Sequence, residues 1–117
     1  MRIPTLATAA LLAATASTGA RAHAFLDHAE PRVGSTVPNA PRELVLVYTQ
    51  NLEPAFSSVE VSDANGARVD LGKPRISAST MRVGLKQLPP GTYRVRWQVL
   101  SVDTHTTQGS FTFHVKQ

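Results

Sequence analysis

The sequence holds no cysteine among its 117 residues. No disulfide can staple this chain, so its fold depends on a hydrophobic core, and no thiolate is on offer as metal ligand or nucleophile. Clustered positive charge is missing too. Lysine and arginine outnumber aspartate and glutamate 12 to 8. Yet Arg32, Arg42, Arg68, Arg75, Arg94 and Arg96 are scattered, which excludes the basic run that grips nucleic-acid phosphates. No internal repeat is present. Beyond the first 22 residues there is no low-complexity segment and no convincing helical pattern. No apolar run reaches the roughly 20 residues that a membrane-spanning helix needs.

What is present begins with a leader. Arg2 supplies a small positive start, Ile3 to Ala16 is rich in alanine and leucine, and Ala20-Arg21-Ala22 places small residues where a signal peptidase reads them. That layout predicts a secretory signal peptide over residues 1–22. Cleavage after Ala22 leaves one domain of 95 residues, His23 to Gln117, and removal of Arg2 and Arg21 brings its side-chain charge to +2. Ala22-His23-Ala24 also fits the small-x-small rule, and a cut there would discard His23 with the leader.

The mature part reads as strands. In Glu43–Thr49, Leu44, Leu46 and Tyr48 share one face by period-2 alternation. Val59 and Val61 do so in Ser57–Ser62, as do Met81, Val83 and Leu85 in Thr80–Lys86. Asn65-Gly66 is a hairpin-turn signal, because both residues tolerate positive φ. Leu88-Pro89-Pro90-Gly91 reads as a turn. Tyr93, Val95, Trp97 and Val99 then face one way against Arg94, Arg96 and Gln98, and Phe111, Phe113 and Val115 repeat the pattern. About seven short strands with closely spaced turns predict an all-β chain, an immunoglobulin-like antiparallel β-sandwich of Greek-key type.

Four histidines carry the candidate chemistry. His23 would become the first mature residue, offering its free α-amine and a ring nitrogen as one chelate. The amine's ordinary pKa of about 7.7–8.0 lets a strong Lewis acid displace its proton near neutral pH. Asp103 and His105 are two apart between the last two strong strands, and in an extended stretch they point the same way. Alone, Asp-x-His reads rather as an ordinary polar loop, with Asp103 in an Asx-type turn and His105 in solvent. Joined to a terminal histidine it yields three nitrogens and one oxygen, a set that suits Cu(II) by ligand type and geometry. His114 alternates with Phe113 and Val115 and is expected on the surface. His28 shares parity with Leu26, which predicts partial burial or a role supporting the metal ligands.

The chain resembles the CopC copper-resistance proteins. The resemblance rests on His23-Ala24-Phe25-Leu26, Tyr48-Thr49-Gln50-Asn51-Leu52, Leu88-Pro89-Pro90-Gly91-Thr92-Tyr93-Arg94-Val95-Arg96-Trp97, Ser101-Val102-Asp103-Thr104-His105 and Gly109-Ser110-Phe111-Thr112-Phe113. It implies a periplasmic β-sandwich with one Cu(II) per chain, held by the amine and ring of His23, by Asp103 and by the ring of His105. It also implies copper carriage, buffering or resistance without catalysis, often beside a CopD-like inner-membrane protein, and a monomer. Gln50 stands where some family members have a glutamate near the metal, which leaves at most an amide oxygen there. Met81 is the one methionine after the leader, so no thioether-rich Cu(I) site is expected. Two other readings compete: a metal-free immunoglobulin-like binding module, and a copper oxygenase with a histidine brace.

Overall fold

Alternation of apolar and polar residues is the force that organises this chain, and it does so over residues 24–117, which the computed structural model describes. Residues 1–22, expected to be a signal peptide, and His23 lie outside the described residues. Eight strands follow in order: β1 (Leu26–Glu30), β2 (Thr36–Val37), β3 (Glu43–Tyr48), β4 (Ser58–Ser62), β5 (Arg75–Ser77), β6 (Thr80–Gly84), β7 (Gly91–Leu100) and β8 (Thr106–Val115). They form two four-stranded sheets, β1-β3-β6-β5 and β2-β8-β7-β4. The result is an immunoglobulin-like β-sandwich. All pairings are antiparallel except the short parallel contact of β2 with β8. The only helical element among the described residues is a 3-10 turn at Pro54–Phe56.

The inward faces are those the alternation predicts. Leu44, Leu46 and Tyr48 of β3 meet Val59 and Val61 of β4, Met81 and Val83 of β6, Tyr93, Val95 and Val99 of β7, and Phe111, Phe113 and Val115 of β8 in one core. Each such side chain contributes about 1.5–3 kcal/mol when fully withdrawn from water, which answers the absence of disulfides. Tyr93 stacks on Phe113 with ring centroids 5.5 Å apart, and its hydroxyl donates to the Pro89 carbonyl in the preceding turn. That bond fastens the Leu88–Gly91 turn to the start of β7, in the manner of a tyrosine corner. Trp97 is only half-buried. Its indole stands edge-on to Tyr48, 5.2 Å between centroids, and lies over Gly109, where a β-carbon would come within 2.6 Å of Cζ2.

Two local expectations are corrected. At Asn65-Gly66 only Gly66 takes a positive φ, of 87°. The turn is organised by Asp63 instead: its carbonyl accepts from the Gly66 amide, its amide donates to Ala67, and its carboxylate accepts from the Asn65 and Ala67 amides. That is a type I turn closed by a left-handed glycine, the longer hairpin connection rather than the two-residue one. In β1, the pairing with β3 slips between Leu26 and His28. The bulge breaks the parity that linked those residues, so His28 is exposed, with Nδ1 2.7 Å from the Asp27 carboxylate.

One polar group is buried on purpose beneath β4. The Asp70 carboxylate accepts from the Val61 amide at 2.9 Å and from Arg68 Nε and Nη2 at 2.8 and 2.9 Å. Burial alone would raise its pKa. The Arg68 fork and the backbone amide outweigh that and hold the carboxyl below the ordinary aspartate value.

Candidate metal centre

Three segments meet at one end of the sandwich. The first is the Ser101–His105 turn joining β7 to β8, two strands paired over their whole length from Gly91↔Val115 to Leu100↔Thr106. The second is Thr49–Leu52, which leaves β3. The third is Ala24-Phe25, which leads into β1. Backbone bonds tie them together: Val102 donates to the Asn51 carbonyl at 3.0 Å, Thr49 donates to the Phe25 carbonyl at 2.9 Å, and Leu52 bridges to Ser101. The Phe25 amide in turn donates to Thr49 Oγ1 at 2.9 Å. Below them, the Glu53 amide donates to the Leu100 carbonyl, and Ser57 Oγ accepts from the Leu100 amide at 3.1 Å. The end of β7 is thereby held on both edges.

The turn itself is built around Ser101, which is fully buried. Its amide donates to the His105 carbonyl and its own carbonyl accepts from Thr104. Thr104 takes φ +73°, a left-handed conformation unusual for a branched residue. The Ser101 hydroxyl donates to Asp103 Oδ1. That bond, followed by the His105 imidazole, holds the Asp103 carboxyl below its ordinary pKa. Asp103 Oδ1 stands 3.5 Å from His105 Nδ1. Both side chains are partly open to solvent, so the carboxylate is ionised at neutral pH and within reach of a cation.

The two turn residues therefore converge as expected, though by another route. Period-2 alternation of an extended stretch does not bring them together; the left-handed bend at Thr104 does. Gln50 is half-buried one residue from Asn51, the acceptor of the Val102 amide, so it borders the turn. His28 sits further along β1, opposite Val47, and is bound to Asp27. His114 pairs across the sheet with Thr92, whose hydroxyl lies 2.9 Å from its Nδ1. His23 is outside the described residues. Its neighbour Ala24 is fully buried, and the Ala24 carbonyl accepts from Thr107 Oγ1 at 2.6 Å, two residues beyond His105. Among the described residues, no three histidine, aspartate or glutamate side chains gather as a metal-binding group; the turn supplies two. Ser101 opens the Ser101–His105 motif that carries the resemblance, but its role as the buried donor to Asp103 is not legible there, and Thr107 carries no signal in the sequence.

Comparison with known proteins extends this local picture to the whole chain. The family model described as the CopC domain matches residues 26–116. Copper resistance protein C of Xanthomonas campestris pv. juglandis is 33% identical over 113 residues, covering 89% of this chain and 88% of that protein. Among solved structures, CopC from Methylosinus trichosporium OB3b superposes with a TM-score of 0.76 at 29% identity, over 80% of this chain and 94% of that one. PcoC from Escherichia coli, described as a methionine-rich copper resistance protein, gives a TM-score of 0.72 at 31% identity, over 81% of this chain and all of that one. With all eight strands and the β7–β8 turn inside the matched span, the chain belongs to the CopC family.

Proposed function

We propose that this protein is a periplasmic copper-binding protein that carries or buffers one Cu(II) per chain, bound by the α-amine and imidazole of His23, by Asp103 and by His105. The observation that carries the reading is the Asp103–His105 pair at 3.5 Å, beside the anchored Ala24 carbonyl. A residue peptide-bonded to Ala24 has its Cα about 3.8 Å away, so a mature chain beginning at His23 would start beside the turn. Relatives whose names record copper resistance support copper as the cargo.

Three nitrogens and one carboxylate oxygen form a borderline-hard, planar-capable set that favours Cu(II) over Cu(I). Met81 is fully buried in the core, so its thioether is not presented to a surface ion. Reduction should accordingly loosen the metal. A carboxylate beside the imidazole fills a coordination position that oxygen chemistry would need open, which supports carriage over catalysis. Phe25 and Val102 are exposed and belong to two of the segments that meet at the turn. They give that end an apolar rim suited to brief contact with a copper-receiving membrane protein of CopD-like type.

The test is the intact mass of the exported protein with and without added copper. The reading predicts a chain beginning at His23 that gains one copper. A chain beginning at Phe25, or one that gains none, contradicts it.

A further inference from the structure

Of the seven arginines among the described residues, three are held by carboxylates; Arg32, Arg42, Arg94 and Arg96 are in no ion pair there, and of these four only Arg94 and Arg96 share one face of one strand. Arg68 is bound to Asp70 and lies 3.9 Å from Glu60, while Arg75 and Arg82 share Glu43. Arg94 and Arg96, by contrast, are exposed on β7 and make no ion pair among the described residues. They project from the outer face of the β2-β8-β7-β4 sheet, since Tyr93, Val95 and Val99 between and beside them point into the core. Two adjoining open depressions on that face share Glu60 and Arg96 in their linings.

We propose that this face is a docking strip for an extended acidic segment of another protein, with Arg94 and Arg96 as its anchors. Residues two apart on a strand are separated by about 6.8 Å along the chain, and alternate residues of an extended peptide have the same spacing. A segment laid along β7 could therefore set carboxylates two positions apart over both guanidiniums, whose planar forks suit paired N–H···O contacts. Cross-strand neighbours supply further donors: Ser62 and Thr112 flank Arg94, and Ser110 flanks Arg96. Outward positions of β4, β7 and β8 beside the pair are polar throughout, so the strip offers nothing to insert into a lipid layer. Glu60 faces Arg96 across the pair, and Asp63 lines the same depression as Arg94; both oppose a continuous anionic surface, while discrete carboxylates can be placed to avoid them. Charge complementarity thus selects an acidic polypeptide over an anionic membrane.

The experiment is an amide chemical-shift titration of the metal-free exported protein with a capped ten-residue peptide of alternating glutamate and serine. The expected result is saturable shifts at 92–98 and 108–112, with a dissociation constant at or below about 1 mM at low ionic strength. Binding should weaken severalfold on adding salt to about 0.2 M, fall at least about tenfold in R94Q/R96Q, and tighten in E60Q. Because no copper is present, the outcome is independent of the metal site. The proposal is overturned if the peptide produces no shifts, or if its glutamine counterpart produces the same ones. It is equally overturned if R94Q/R96Q binds as the parent does, or if inorganic phosphate or phosphatidylglycerol vesicles perturb this face and the peptide does not.

Discussion

Replacing Ser101 by alanine should weaken copper binding without touching a proposed ligand. The Ser101 hydroxyl is buried and donates to Asp103 Oδ1, while its oxygen also lies 3.4 Å from the His105 amide. It thus joins both proposed ligands of the turn to the end of β7. Solvent around the half-open Asp103 screens the Ser101–Asp103 bond, so the fold itself should lose little when it is removed. Partners that orient metal ligands typically matter about 10–100-fold in affinity; for one bond to an exposed carboxylate the expected loss is near the low end, about tenfold. Loss of this donor also lets the Asp103 pKa rise toward its ordinary value. Acid should therefore release copper from S101A at a higher pH than from the parent. The assay is competition for Cu(II) against a chelator of known affinity between pH 4 and pH 8, in the parent, S101A, D103A and the double variant. If Ser101 acts through Asp103, S101A has no further effect in the D103A background. Unchanged affinity in S101A alongside a large loss in D103A would refute the reasoning.

Three further outcomes concern the sandwich itself. D70N should cost about 2 kcal/mol at neutral pH, since it removes the charge that binds the Arg68 fork. The Asp70 pKa is depressed on folding, so its stabilisation is present above the ordinary aspartate value of about 3.9 and is lost as pH falls below it; urea titrations against pH should show that acid loss shrinking in D70N. Y48F should be neutral or stabilising by about 1 kcal/mol, because the buried Tyr48 hydroxyl has no hydrogen-bond partner among the described residues; a loss above about 1 kcal/mol in urea unfolding would reveal a bond to it. G109A should destabilise by about 1–3 kcal/mol, as its methyl would press on the Trp97 ring, and Trp97 fluorescence should shift to the red as the indole is pushed toward water.

Legibility in the sequence followed the strength of the alternation. Leu44, Leu46 and Tyr48, then Tyr93, Val95, Trp97 and Val99, then Phe111, Phe113 and Val115 each repeat every second residue, and all of them are buried in the core except Trp97, which packs against it half-exposed. β2 is two residues long and pairs in parallel, a contact that no local pattern announces. β5 is three residues long with only Ile76 turned inward. The parity of His28 with Leu26 does not bury His28, because a bulge shifts side chains to the other face while leaving the sequence pattern untouched. At the candidate metal centre, the pairing of Asp103 with His105 was readable, but its cause was not. It depends on a left-handed Thr104 and on a hydroxyl at Ser101, and neither has a periodic signature. Anchoring of Ala24 to Thr107 spans 83 positions and emerges only once β1, β3 and β8 have met.

The most direct trial of the account compares Cu(II) affinity in protein beginning at His23 with the same protein Nα-acetylated, in parallel with electron paramagnetic resonance of the bound ion. Acetylation removes the basic amine and leaves every side chain in place. The account predicts three-nitrogen coupling in the free-amine form, with loss of one nitrogen and at least about a hundredfold in affinity on acetylation, some 2.7 kcal/mol. Equal affinity and an unchanged spectrum in the blocked protein would contradict a copper centre formed at the mature N-terminus.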